Sequence, residues 1–255
     1  MHAFVSAWRN YHPTQPFLLP GDECLIDSQA VRFPGWDHYT SDPNFGSPGG
    51  TTLHLDLLPM PFVGNLSRAK VYLLMLNPGL APTDYYGEYN VPAYKSTLHA
   101  NLRQQPEATF LFLDPAFSWH GGYYYWHSKL SKLIASVANE MRIEYGEARR
   151  IFQDNLATIE LVPYHSARFG VAGHKLKKLK SAALAQSYVH DILVPKARSG
   201  ECVIVVTRAK GHWRLPEHEN IITYKGGEAR GAHLSANTRG GKAIAEFLRK
   251  AASAA

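Results

Sequence analysis

Six apolar residues, VYLLML, run from Val71 to Leu76 and stop at Asn77-Pro78-Gly79. A short apolar run without alternation, closed by turn residues, suits a strand buried on both faces. Three later runs share that form: ATIELV from Ala157, stopped at Pro163, then CVIVVT from Cys202 and NIITYK from Asn220. Between them the spacing turns helical. YWHSKLSKLIASVANEMR sets Trp126, Leu130, Leu133, Ile134 and Val137 on one face. A second helical pattern starts near Leu176, and GGKAIAEFLRKAA forms a closing amphipathic helix. Strands alternating with helices imply crossover connections. The expectation is an α/β fold, a three-layer α/β/α arrangement around a mainly parallel, four-stranded central sheet.

The chain before this regular part reads differently. Residues 1–60 are rich in Pro, Gly, Asp and aromatic residues, as in RFPGWDHYTSDPNFGSPGGTT. Apart from a short helix at the start, they predict an irregular extension packed on a core domain of residues 61–255. Long irregular segments of this kind cover a core or form part of a site.

Composition narrows the class. Of 255 residues, 45% are apolar, enough for a sizeable core and against disorder. No run approaches the roughly 20 apolar residues of a membrane-spanning helix. The opening MHAFVSAWRNYHP lacks the apolar centre and cleavage site of a signal peptide. Two cysteines, Cys24 and Cys202, cannot build a disulfide framework or a cluster site. The expectations are a cytoplasmic monomer without metal or cofactor. The net charge of +6 favours anionic partners, and nucleic acid is the commonest large one.

In a parallel sheet, ligands sit beyond the C-terminal ends of the strands. Four polar, ring-rich segments fall there: Asn77-Pro78-Gly79, Pro163-Tyr164-His165-Ser166, Arg208-Ala209-Lys210-Gly211-His212 and Gly231-Ala232-His233-Leu234-Ser235. There is no Walker loop, no G-x-G-x-x-G, no G-x-S-x-G and no H-E-x-x-H.

The arrangement resembles the uracil-DNA glycosylase superfamily over roughly residues 60–250. MLNPGLAP stands where the mismatch-specific and single-strand-selective branches carry Asn-Pro-Gly. GGYYYWHSKL looks like the aromatic lead-in to the next helix, IELVPYHSA like the middle strand, and GAHLSANTRGGKAIAEFL like the late motif and final helix. Two positions depart from the pattern. The late loop reads His-Leu-Ser instead of His-Pro-Ser or Asn-Pro-Ser, and Glu160 takes the place where many members carry a base-reading Asn.

The resemblance implies an enzyme that hydrolyses the N-glycosidic bond of a damaged or modified base in single- or double-stranded DNA. Such an enzyme flips the nucleotide out, stacks its base and reads its edge. Asn77 fits the water-holding role, with Pro78 and Gly79 shaping the turn beside the base; the alternative is an ordinary turn. Asp84 could supply a carboxylate instead, or be a solvated loop aspartate. His233 fits stabilisation of the departing base. Tyr124 is the candidate stacking ring, with Tyr85 and Tyr86 as rivals. Glu160 and His165 flank the second strand end as base-binding candidates. As a carboxylate, Glu160 would accept from an amino group, or it would pair with a cation such as Arg168. Ser235, Arg239 and Lys210 are candidates for DNA phosphates, and the lysines of HKLKKLK could track them too. Trp213 could wedge a base step or pack. The competing expectations are a non-catalytic nucleic-acid- or nucleotide-binding protein on the same fold, and a hydrolase of a small nucleoside or phosphorylated metabolite.

Overall fold

A computed structural model of the chain describes residues 2–26, 30–47 and 49–253. Seven strands are present among them. β1 (Ala30–Val31) and β2 (Leu53–His54) form a small parallel pair. β3 (Phe62–Val63), β4 (Val71–Met75), β5 (Leu156–Glu160), β6 (Val203–Val206) and β7 (Ile221–Thr223) form one sheet, in the order β3-β5-β4-β6-β7. β4 pairs with β6, and β6 with β7, in parallel, with Val71 opposite Val203 and Ile204 opposite Ile221. The protein is therefore an α/β protein with a five-stranded, mostly parallel mixed sheet flanked by helices.

The four apolar runs became β4 to β7. All of β5 and β6 is buried, as is β4 up to Leu74, which is why these strands read as apolar throughout instead of alternating. The expected count of four strands is corrected to five. β3 is two residues long, too short for any periodicity to reveal. Its position rests on the next residue: Gly64, at φ +98°, lies so close to β5 that a Cβ there would meet the Leu156 carbonyl oxygen at 2.3 Å. Only glycine permits that approach.

The chain divides into two compact units. The first comprises Met1–Phe62, Leu76–Gln104 and Glu160–Tyr188; the second comprises Val63–Met75, Gln105–Ile159 and Val189–Ala255. The sheet β3–β7 belongs to the second, with only Phe62 and Glu160 counted in the first. The chain thus leaves the second unit just after β4 and at the last residue of β5.

In the second unit the expected long helix spans Gly121–Met141, with Trp126, Leu130, Leu133, Ile134 and Val137 buried. The closing helix spans Arg239–Ser253 and buries Ile244 and Leu248. In the first unit the N-terminal segment does more than cover a core. Its helix Ala3–Arg9 buries Phe4 and Trp8. Asp22, fully buried, accepts from the Tyr164 hydroxyl at 2.6 Å and the Ser181 amide at 3.2 Å. Arg32 grips the buried Asp56 through both carboxylate oxygens at 2.9 and 3.0 Å. The polar, aromatic stretch after Gly79 is helical, in two pieces that each begin with proline, Pro82–Asn90 and Pro92–Leu102. Proline suits a first helical turn, where its missing N–H leaves nothing unpaired. The lysine-rich segment is broken into a single turn, Gly173–Leu176, and a helix from Lys180 to Tyr188.

Candidate functional site

The Asn-Pro-Gly turn follows β4 directly. Gly79 has φ +79°, a left-handed conformation that glycine alone adopts without strain. Asn77 is half-buried, and its side-chain amide donates to the Ser166 carbonyl at 2.8 Å and the Ser166 hydroxyl at 3.1 Å. The Ser166 hydroxyl in turn donates to the Arg168 carbonyl at 3.0 Å. With its N–H groups held by one loop, the amide keeps its carbonyl oxygen as the free acceptor capacity that can hold a water.

His165 locks the other side of the turn. Its Nδ1 lies 3.1 Å from the Gly79 carbonyl oxygen and its Nε2 lies 3.2 Å from that of Leu58. A neutral imidazole donates once, so both bonds form together only in the imidazolium. The side chain is 1% exposed. His165, expected to bind a base, thus has its ring edge occupied by main chain and positions the turn that carries Asn77.

Two further groups complete this cluster in the first unit. The Leu58 amide donates to both carboxylate oxygens of buried Glu88, at 2.9 and 3.1 Å. Burial pushes the Glu88 carboxyl well up, and the Leu58 bond offsets part of that. The His54 amide donates to the His165 carbonyl at 2.9 Å, and the His54 Nδ1 lies 3.1 Å from the Tyr85 hydroxyl. Burial, then the neighbouring His165, pushes the His54 imidazole down to about 4, so it is neutral at pH 7.

Glu160 lies at the end of β5 with 5% exposure, and its Oε2 has no hydrogen-bond partner among the described residues. Of the two alternatives, the pairing with Arg168 is not made among the described residues. Desolvation by burial pushes the Glu160 carboxyl well above the usual carboxylate range. That shift favours the protonated form, which donates once and accepts once, over the carboxylate that accepts from an amino group.

Asp84 is neither solvated nor in a loop. It is buried in the first turn of Pro82–Asn90 and accepts from the Ala81 amide at 2.6 Å. Tyr85 is fully buried and stacks on Tyr39 at 4.2 Å and 14°, so it offers no open face to a base. Tyr86, partly exposed, stands edge-on to Trp36 at 5.5 Å.

The second unit carries the remaining candidates. Tyr124 is 77% exposed on the helix Gly121–Met141, an open ring, whereas Trp126 of the same run is core. His233 is exposed on the loop before the last helix, and its carbonyl oxygen accepts from the Tyr224 hydroxyl at 2.8 Å. Ser235 is half-buried, and its carbonyl caps Thr238. Arg239 is tied by 2.7 Å to Glu228 and by 2.9 Å to the Thr223 carbonyl. Lys210 is exposed. Trp213 is fully buried, with its carbonyl oxygen accepting from the His190 Nε2 at 2.8 Å, so it packs and does not wedge.

Asn77, Pro78, Gly79, Glu160 and His165 therefore share the first unit, and Tyr124, Lys210, His233, Ser235 and Arg239 the second. Sequence reasoning missed Glu88 and His54, whose roles depend on contacts far apart in the chain. It took TRAKGHWR, which ends at Arg214, as a basic and aromatic segment at a strand end but gave Arg214 no role, and it passed over Lys225.

Among the described residues, no helix is long and apolar enough to cross a membrane, and no three His, Cys, Asp or Glu side chains gather as metal ligands would. The chain matches no protein-family model, no curated protein and no solved structure.

Proposed function

We propose that the protein is a DNA N-glycosylase of the uracil-DNA glycosylase type, with the three-layer α/β/α architecture of that superfamily. It hydrolyses the N-glycosidic bond of a damaged or modified base. The observation that carries the reading is the Asn77 amide, held through its N–H groups at the end of a buried parallel strand.

In this reading the Asn77 carbonyl oxygen orients a water against the sugar's anomeric carbon. The water oxygen bonds to that carbon while the bond to the base nitrogen breaks. The base leaves with the bonding electrons, and the proton that the water loses ends on the departed base. An amide is a weak base, so the step leans on charge stabilisation of the departing base. Glu160, whose carboxyl burial drives towards its protonated form, meets a base edge that offers one donor and one acceptor. Pro78 and Gly79 shape the turn. His165 is a positioning residue. Ser235, Lys210 and Arg239 serve backbone phosphates, which makes affinity fall with salt.

Oligonucleotides carrying uracil, hypoxanthine, xanthine or modified cytosine, single- and double-stranded, provide the test. Alkaline cleavage at one base is expected, and Asn77→Ala should lower its rate by about 100-fold or more, the scale of losing one oriented polar group in a site. Absence of cleavage across the panel would overturn the enzyme reading.

The exposure of the His233 ring favours a second reading, a non-catalytic nucleic-acid- or nucleotide-binding protein on the same fold. It predicts salt-sensitive DNA binding without release of base.

A further inference from the structure

A cavity of about 380 Å³ opens beside β7 and the connection that leads into it from β6, in the second unit. Lys210, Arg214, Lys225 and Arg239 line it, against one lining carboxylate, Glu217. That carboxylate neutralises little: it is 96% exposed and 3.6 Å from the Lys225 ammonium. Arg239 is held in place by Glu228 and the Thr223 carbonyl, so its guanidinium is fixed at the wall. Leu215 and Pro216 supply an apolar stretch of the same wall.

Even with Lys225 facing Glu217 and Arg239 paired with Glu228, the four cations leave a net positive charge at the concavity that an entering anion relieves. The Arg214 guanidinium donates in a fixed fork, which suits an anion with two adjacent acceptor oxygens such as a phosphate. A cavity near 380 Å³ falls in the usual range of small-ligand sites, about 300–1,000 Å³. It exceeds what a single inorganic anion fills, and the apolar wall gives the remainder of a ligand somewhere to lie.

We propose that this pocket binds a terminal phosphate monoester on a nucleotide-sized ligand, with the phosphate among Lys210, Arg214, Lys225 and Arg239 and the nucleoside against Leu215 and Pro216. The same chemistry is offered by a free nucleotide and by the 5′-phosphorylated end of a nucleic-acid strand. The inference stands on the charge and size of the pocket and does not depend on the glycosylase reading, whose readout is an abasic site and not binding.

The test is calorimetric titration of the full chain at low salt with a nucleoside 5′-monophosphate, the matching nucleoside and inorganic phosphate. The monophosphate should bind at least about 10-fold more tightly than either of the other two. The double variant Arg214→Gln/Lys225→Gln should weaken it at least about 10-fold, and a thermal melt checks that the variant is folded. Should it not fold, Lys210→Gln alone should still weaken binding several-fold. Equal binding of nucleoside and monophosphate, no binding of the monophosphate, or affinity unchanged in folded variants would each overturn the proposal. Oligonucleotides with a 5′-phosphate or a 5′-hydroxyl separate the sources. A preference for the phosphorylated strand that the variants abolish assigns the pocket to strand ends, and no preference alongside nucleotide binding assigns it to free nucleotides.

Discussion

The surroundings of Asn77 and those of Lys210 solve opposite problems. Around Asn77, polar groups lie in the interior and are bonded to one another: amide to Ser166, imidazole to two carbonyls, carboxylate to the Leu58 amide. Around Lys210, cations outnumber carboxylates at the surface, with Lys225 and Arg239 paired to Glu217 and Glu228. Burial makes each lost hydrogen bond costly and moves titrations by large amounts, whereas water screens the exposed cations and leaves their stability contribution small. The first region is built to hold a geometry, and the second to attract.

If that contrast is right, mutations should sort by region. The largest effect is expected for His165→Ala, which leaves the Gly79 and Leu58 carbonyls without their donor in a buried place. A loss of about 2–4 kcal/mol is expected in denaturant unfolding. A loss under about 1 kcal/mol would mean that the turn is held mainly by Asn77 and Ser166.

Next comes Glu160→Gln, which sharpens the comparison through pH. The folded protein raises the Glu160 carboxyl above its ordinary 4.5. The folded state then binds more protons than the unfolded state as pH climbs above that value. The contribution of Glu160 to stability is fully present below about pH 4.5 and is lost as pH rises through the higher folded-state value. Glutamine cannot ionise, so the variant should gain on the wild type as pH rises above about 4.5, measured by urea melts. Parallel pH profiles would show that Glu160 is solvated after all. His54 runs the other way in both proteins. Its lowered imidazole weakens the fold as pH falls from 6.5 towards about 4, and it cancels in the comparison.

The smallest effect on folding is expected in the open region. His233→Ala should change stability by no more than about 0.5 kcal/mol, as exposed substitutions do. A large loss of stability would place His233 among the structural residues and remove it from the candidate site.

The legible parts were those where neighbours in sequence carry the signal. Apolar runs marked β4 to β7, and helical spacing marked Gly121–Met141 and the closing helix, because burial on both faces of a strand or along one face of a helix leaves a local periodic trace. Asn77-Pro78-Gly79 was legible as a turn for the same reason, and its glycine adopts the positive φ such a turn asks for. The two helices after it were not. Their first turns carry proline, and the helix Pro82–Asn90 buries polar Asp84 and Glu88 along with Tyr85, so no apolar stripe announces it.

What the sequence by itself determined is the α/β class, the four main strands, the turn at Asn77 and the positive charge available for anions. Tertiary structure alone decided the rest. It added β3, a strand of two residues that exists because Gly64 lets it approach β5. It turned His165 from a candidate base reader into the clasp of the Asn77 turn, and Asp84 from a loop carboxylate into a helix cap. It pushed the Glu160 carboxyl upward by removing water from around it. It also gathered Arg214 and Lys225 with Lys210 and Arg239 about one cavity. Hydrogen bonding and desolvation depend on which groups meet across long stretches of chain, and that information is absent from any local pattern.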